Sequence, residues 1–300
     1  MKVKIILNPY ANRWRAKGRA DDILAACRKA GLEADLAFIP APGRGADEAM
    51  RASDDGYDAV VAAGGDGTVH EVVNGLIAAA GDGPTKPLGV MPVGTGNDFN
   101  DMSGLPRDLH GAAAIVAAGQ TRQVDAGKIT FDDEVHFFDN NCALAMEPVV
   151  TIENVRMTKL SGNIRYVAAV IKCLAKLNAW QMRVTWDDGS YEGPILLLSV
   201  CNSPRTGGLF RMAPEAKMDD GLFDFVYAPD LRLHQVVGLL PGLVRGTHIN
   251  HEQIVYKRTR TLTVECQTGS PIHADGEVLS ESARRFSYEV LPEKITLLAG

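Results

Sequence analysis

Residues 59–76 read Ala59-Val60-Val61-Ala62-Ala63-Gly64-Gly65-Asp66-Gly67-Thr68-Val69-His70-Glu71-Val72-Val73-Asn74-Gly75-Leu76, and the fold turns on this stretch. Ala59 to Ala63 is an unbroken apolar run, the mark of a strand buried on both faces. From Val69 to Ala79 the apolar residues Val72, Val73, Leu76 and Ile77 recur at helical spacing. Between strand and helix lies Gly64-Gly65-Asp66-Gly67-Thr68. Paired glycines allow close backbone approach and positive φ. Thr68 and Glu71 have the spacing of a capping box, which predicts that the helix starts at Thr68. A helix N-terminus carries unpaired N–H groups and partial positive charge, so a phosphate suits it. Asp66 would repel that phosphate unless a divalent cation or ordered water lay between them. The alternative is a turn in which Asp66 bonds its own backbone.

The same alternation extends outward on both sides. Val3 to Leu7, Leu36 to Ile39 and Leu88 to Met91 read as further strands. Ala16 to Ala30, Asp47 to Ala52 and Leu109 to Ala118 read as helices. Strands alternating with helices predict a parallel sheet covered on both faces, with ligands beyond the carboxyl ends of its strands. The fourth strand runs into Pro92-Val93-Gly94-Thr95-Gly96-Asn97-Asp98-Phe99. This second glycine loop repeats the logic of the first. Thr95 is a phosphate or hydroxyl partner, and Asn97 and Asp98 are cap or metal-shell groups.

Beyond Val124 the texture changes to strand-like runs at Val135 to Phe138, Met182 to Trp186, Ile195 to Val200, Leu222 to Tyr227, Thr261 to Cys266 and Phe286 to Val290. Two helices, Ile164 to Leu177 and Leu233 to Val244, interrupt them, and Asp187-Asp188-Gly189 and Asp219-Asp220-Gly221 mark turns. The expectation is an α/β domain over residues 1–124 and a mostly antiparallel β-sandwich over 125–290. A third loop, His273-Ala274-Asp275-Gly276-Glu277, reads as a hairpin turn, or as a carboxylate pair able to accept a hydroxyl proton.

Bulk properties narrow the classes. At 300 residues, 46% apolar and 23% charged, the chain is ordinary globular protein of two-domain size. A net charge of -6 argues against a nucleic-acid partner. Five scattered cysteines with no CxxC pair argue against a disulfide framework or thiolate metal site, and fit a cytoplasmic protein. The apolar run Ile5 to Leu7 is too short for a signal peptide, and no stretch is long enough to span a bilayer. The sequence lacks GxxxxGK[ST], an opening GxGxxG, the HRD and DFG pair, and GxSxG. Trp14, Trp180 and Trp186 are expected to be packing residues rather than interfacial anchors. The basic run Arg13, Arg15, Lys17 and Arg19 reads as a solvated face, with contact to phosphates or anionic headgroups the alternative, and Val236 to Val244, with Pro241, as a helix face packed in the core, with contact to a membrane the alternative.

Taken together, Asn8-Pro9, GGDGTVHEVVNGL, PVGTGNDF and the late Asp275-Gly276-Glu277 resemble the diacylglycerol kinase catalytic-domain family, which includes bacterial lipid kinases, sphingosine kinases and ceramide kinases. GGDGT alone is shared with NAD kinases and phosphofructokinases, whose nucleotide domain this one is expected to share. The resemblance implies an ATP- and magnesium-dependent kinase that phosphorylates a hydroxyl of a lipid at the membrane surface, with its active site between two domains. It places ATP on Asn8, Pro9, Asn12 and Arg13, on Gly64 to Thr68 with Glu71, and on Gly94 to Asp98. It makes Glu277 the proton acceptor, with Asp66, Asp98 and Asp125 organising magnesium. It implies a second, structural magnesium held by Asp220 and the backbone oxygens of Lys217 and Leu222, and a return of residues 291–300 to the first domain. The departures are Asn12 in place of glycine, no Thr near Ile39 to Pro42, and Met146-Glu147-Pro148 in place of a glycine-rich sequence beside the expected lipid pocket. A soluble-metabolite kinase of NAD kinase type and a catalytically silent lipid- or nucleotide-binding protein are the alternative readings. Exposed sheet edges leave a homodimer open.

Overall fold

Five strand segments form the first sheet of the computed structural model, which describes residues 1–12, 14–157, 160 and 162–300. Strand β1 (Lys2–Leu7) lies between β2 (Glu33–Phe38) and β3 (Ala59–Gly64), pairing in parallel with both. Strand β4 (Leu88–Pro92) continues the parallel pairing beside β3, with Val61 opposite Gly89. The order 2-1-3-4 reverses direction at β1/β3, the kind of switch point beside which open α/β sheets bind their ligands. Every residue of β3 is buried, as its apolar run requires.

The helices follow from amphipathic spacing. Arg15–Arg19 is a 3-10 turn that leads into α1 (Ala20–Lys29), so the helix expected from Ala16 splits in two. Ile23, Ala26 and Cys27 of α1, together with Ala112, Ala113 and Val116 of α5 (Leu109–Ala118), pack on Val3, Ile5, Leu7 and Val61. Helices α2 (Gly45–Asp54) and α3 (Asp66–Ala80) pack against each other, with Gly75 against the Ala46 backbone. The short α4 (Asp98–Met102) follows the second glycine loop. By contacts the chain divides into two units, Met1–Ala126 with Pro292–Gly300 and Gly127–Leu291. The end of the last strand belongs to the first unit, where Leu297 pairs in parallel with Leu88.

The second unit is antiparallel. Strands β5 (Thr121–Phe131) and β6 (Glu134–Phe138) form a hairpin, as do β8 (Trp180–Trp186) and β9 (Gly189–Cys201). Strand β7 (Asn141–Ala145) pairs with β9, which pairs on its other side with β10 (Phe223–Pro229), and β10 with β11 (Val255–Thr259). Strands β12 (Thr261–Ala274) and β13 (Glu277–Leu298) make the longest hairpin. β12 pairs first with β8 and then, past register shifts between Glu265 and His273, with β7. Such bulges bend a strand so that it can serve two sheets, and the side chains of Phe138, Leu144, Val184, Phe223, Ile272 and Tyr288 fill the space between.

Three helices join this unit. The expected pair appears as α7 (Gly162–Leu174) and α8 (Leu233–Arg245); α6 (Met146–Arg156) precedes them and, like β5, β7 and β11, has no counterpart in the sequence reading. Two further expectations need correction. Trp180 and Trp186 pack on the sheet core, but Trp14 is 65% exposed. Val236 is buried as expected, but Leu233, Val237 and Val244 face outward.

Candidate functional site

Three loops meet at the carboxyl ends of β1, β3 and β4. Beyond β1, the Asn8 N–H donates to Ala63 O at 3.0 Å, extending the ladder by a residue. The Asn8 side chain then turns the chain: Oδ1 accepts the Tyr10 N–H at 2.9 Å, and Nδ2 donates to Thr68 Oγ1 at 3.0 Å. Pro9 is buried, and Asn12 takes φ 49, the left-handed form that asparagine tolerates best after glycine. Arg13 lies outside the described residues.

The two glycine loops bind each other. Gly64 O accepts the N–H groups of Val93 (3.0 Å) and Gly94 (2.9 Å). Asp66 spans the gap: Oδ2 accepts the Asn97 N–H at 2.8 Å and Oδ1 the Phe99 N–H at 3.0 Å. Asp66 thereby bonds backbone as the turn reading supposed, but the backbone is that of the other loop, at the start of α4. The glycines serve this approach. A Cβ on Gly94 would stand 2.3 Å from Gly65 Cα, and one on Gly96 would stand 2.5 Å from Asp66 Oδ2. Positive φ, the other expectation for these glycines, does not occur at Gly64, Gly65, Gly67, Gly94 or Gly96; Asn97, at φ 77, takes it instead.

The capping box is also absent. Helix α3 begins at Asp66 with Gly65 as its N-cap and no side-chain cap. Glu71 reaches the loop before α2 instead, where Oε1 accepts the Gly43 N–H at 3.1 Å and Oε2 the Gly45 N–H at 2.6 Å. Its carboxylate steadies the start of α2. Thr68 is buried under Asn8, whereas Thr95 and Gly96 are exposed at the loop tip.

The acidic positions differ in environment. Asp66 is half-buried and Asp98 is buried. Asp125 is buried and accepts the Glu293 N–H at 2.8 Å, joining β5 to the returning end of β13. Among the described residues, Asp66, Asp98 and Asp125 do not gather into a three-carboxylate cluster. A magnesium ion commonly takes one or two carboxylates and completes its shell with water and phosphate.

In the second unit, Asp275 and Gly276 form a two-residue turn between β12 and β13, with φ 49 and 85 and with Ala274 opposite Glu277. Asp-Gly is the residue pair such a turn selects. Glu277 stands exposed at its end. Asp275 locks the turn by accepting the N–H groups of Asp139 (3.0 Å), Asn140 (2.9 Å) and Asn141 (2.9 Å). Beneath it His273 Nδ1 accepts the Gly276 N–H at 3.3 Å, and its Nε2 lies 3.5 Å from Glu147 Oε1. Glu147 also accepts from Asn141 Nδ2 (2.9 Å) and Thr206 Oγ1 (3.3 Å). Burial alone would raise the Glu147 carboxyl; His273 and the hydrogen-bonded Ser199 and Asn141 outweigh it and hold the group below its ordinary value. Sequence reading missed this pair, since nothing in spacing links an acid at the head of α6 to a histidine in β12.

Asp220 offers little room for a structural magnesium. Oδ1 accepts the Leu222 N–H at 3.2 Å and Oδ2 pairs with the Arg258 guanidinium, which a cation would have to displace. Lys217 is exposed and Leu222 half-buried beside this turn.

Comparison with known proteins places the chain. The profile of the diacylglycerol kinase catalytic domain matches residues 2–129, and that of the YegS C-terminal NAD kinase beta sandwich-like domain matches 145–299. Relatives named diacylglycerol kinase are 30% identical in Staphylococcus saprophyticus and 31% identical in Staphylococcus epidermidis, each over 278 residues. These alignments cover 92% of this chain and 88% and 85% of the respective relatives. A crystal structure of a candidate diacylglycerol kinase from Bacillus anthracis superposes with a TM-score of 0.80 at 22% identity, covering 100% of this chain and 97% of that one. Yeast NADH kinase complexed with NADH gives a TM-score of 0.55 at 11% identity, over 100% of this chain and 84% of that one, a likeness of fold. With both profiles in sequence order and relatives matched along nearly their whole length, the chain belongs to the diacylglycerol kinase catalytic-domain family.

Proposed function

We propose that this lipid kinase transfers the γ-phosphate of ATP, with magnesium, to a hydroxyl of a membrane lipid such as diacylglycerol. The observation that carries the reading is the clamp beyond β3 and β4, where Asp66 and the paired glycines hold two phosphate-type loops together at the N-terminus of α3. Backbone N–H groups and the helix dipole there suit the phosphates of ATP. Asn8, Pro9, Asn12 and Arg13 would flank the nucleotide, with Thr95 at the tip of the second loop. Magnesium, when bound, neutralises charge on the phosphates, and Asp66 and Asp98 would hold it. Asp125 supports the strand behind them.

In this reading Glu277 accepts the proton of the lipid hydroxyl as its oxygen attacks the γ-phosphorus and ADP leaves. The chain's contribution is position and charge, which is what phosphoryl transfer requires of a protein. His273 and Asp275 fix the turn that presents Glu277. An apolar cavity of about 70 Å³ in the second unit is lined by Met146, Leu196, Leu197, Leu239, Leu240 and Leu243; it is smaller than an acyl chain and is assigned no ligand. No step is assigned to a metal at Asp220.

Transfer of label from γ-labelled ATP into a panel of lipids in mixed micelles, with and without magnesium, tests the proposal. A labelled lipid that requires magnesium and is lost in Glu277→Ala supports it. Label in NAD or another soluble acceptor, with none in lipid, overturns it.

A further inference from the structure

Helices α7 and α8 each have two apolar faces, and a soluble protein needs only one. The inner residues Val170, Cys173 and Leu174 of α7 join Val236, Leu239 and Leu243 of α8 in one core cluster. The remaining apolar residues point outward. On α7 they are Ile164 (71% exposed), Val167 and Ile171 (62%), spaced i, i+3, i+7 along one stripe. On α8 they are Leu233, Val237 (49% exposed) and Val244, with Pro241 exposed between the last two. The helices are neighbours through their inner residues, and the end of one meets the start of the other: Ala175 and Leu177, just past α7, line one groove with Arg232, Leu233 and Gln235 at the start of α8. Single exposed apolar residues are ordinary, but an outward apolar stripe on each of two neighbouring helices is not.

Charge identifies the occupant. The chain as a whole carries -6, yet neither helix contains an Asp or Glu. Arg165 and Lys172 lie on α7, Lys176 just beyond it, and Arg232 and Arg245 at the two ends of α8. Of the nearby acids, Glu153 of α6 engages Lys172 and Arg156, Asp230 lies in the groove, and Glu252 is exposed beside the groove residue Gln253. Apolar stripes framed by Lys and Arg are how an amphipathic helix meets an anionic lipid surface. Among the described residues no helix is long and apolar enough to cross a membrane, so contact through such a face is the form of attachment open to these helices. Helix α8 also lies between that face and the apolar cavity, which its inner residues Val236, Leu239, Leu240 and Leu243 line.

We propose that the outer faces of α7 and α8 are the surface on which this protein seats itself on an anionic bilayer. The proposal rests on the lipid kinase reading for its purpose, and on exposed residues for its evidence. Cosedimentation of the full chain with vesicles tests it, using phosphatidylcholine alone or mixed with phosphatidylglycerol, at low and high salt. Wild type should pellet with the mixed vesicles and be released by salt. Ile171→Glu with Val237→Glu should weaken that binding by at least about tenfold. Lys176→Gln and Arg245→Gln should each weaken it roughly fivefold on mixed vesicles and leave phosphatidylcholine binding unchanged. All four substitutions should leave transfer to a dispersed short-chain diacylglycerol unchanged.

Two results overturn the docking surface. One is a Glu double variant that pellets and phosphorylates bilayer lipid as wild type does. The other is a wild-type dimer, seen by light scattering, that the Glu variants dissociate without altering vesicle binding; it would assign the stripes to a second copy of the chain. Failure of wild type to phosphorylate the short-chain acceptor would instead sink diacylglycerol as the substrate, while the vesicle measurement still reports on the surface.

Discussion

Replacing Asp66 separates two jobs that one side chain performs. Its carboxylate accepts the Asn97 N–H at 2.8 Å and the Phe99 N–H at 3.0 Å, so it ties the second glycine loop to the first. A hydrogen bond to a charged group contributes about 1.5–3 kcal/mol. Asp66→Ala loses both and leaves two N–H groups at the head of α4 without this acceptor, a cost of about 3 kcal/mol or more. That corresponds to a fall in melting temperature of roughly 6–12 °C for a domain of this size. Asp66→Asn keeps the shape and one accepting oxygen, so its cost should be about 1–3 kcal/mol. The amide should also lose the magnesium-dependent part of catalysis, so turnover should fall further than the melting point suggests, by at least about a hundredfold. Thermal unfolding and magnesium titration of activity, both run on the two variants, give the comparison. An Asp66→Ala protein that melts within a degree of wild type would refute the clamp. An Asp66→Asn protein of wild-type turnover would refute the magnesium role.

The remaining expectations each follow from one contact. Gly94→Ala puts a Cβ 2.3 Å from Gly65 Cα, so the loops must part. Overpacking costs about 1–3 kcal/mol, and displaced phosphate groups should lower kcat/KM by roughly a hundredfold. Gly18→Ala, with nothing within 4 Å, is the matched control and should behave as wild type in both assays. Glu277→Gln, at an exposed position, should leave the melting temperature unchanged and reduce kcat by about 10²–10⁴, as steady-state kinetics will show. For Glu147, whose folded carboxyl lies below its ordinary 4.5, the stabilising contribution is present above pH 4.5 and is lost as pH falls through the folded value. Urea midpoints of Glu147→Gln should therefore fall short of wild type at neutral pH and converge with it in acid; a gap independent of pH would contradict a charged Glu147 carboxylate.

What the sequence revealed was local, and what it concealed was not. The loops at Gly64 to Thr68 and Gly94 to Asp98 were legible because strand, glycine loop and helix follow one another along the chain. The capping box failed because Glu71 had a better use at Gly45, which is 26 residues upstream and adjacent only once α2 packs on α3. The glycines were recognised as points of close approach, but only the folded sheet shows that what each loop approaches is the other loop. Helix α6 was hidden by its own composition. Pro148 discourages a helix there, yet a proline is tolerated in the first turn of a helix, where its missing N–H has no intrahelical partner to lose.

The departure at Met146-Glu147-Pro148 is then a rebuilt support and not merely a lost glycine sequence. Ala145 takes φ 66, a conformation that costs a non-glycine residue energy, and its N–H is held by Ser270 Oγ at 3.0 Å. This kink starts α6 so that Glu147 is buried in the second unit, against His273. Because His273 Nδ1 accepts from Gly276, its proton belongs on Nε2, facing the Glu147 carboxylate. The acid thus fixes the tautomer, the tautomer fixes the bond to the turn, and the turn carries Glu277. A flexible glycine segment could not place a buried carboxylate so firmly, because a charge removed from water is tolerable only where its hydrogen bonds are made. The strain at Ala145 is the cost of a more rigid seat for the turn that carries Glu277, the proposed proton acceptor.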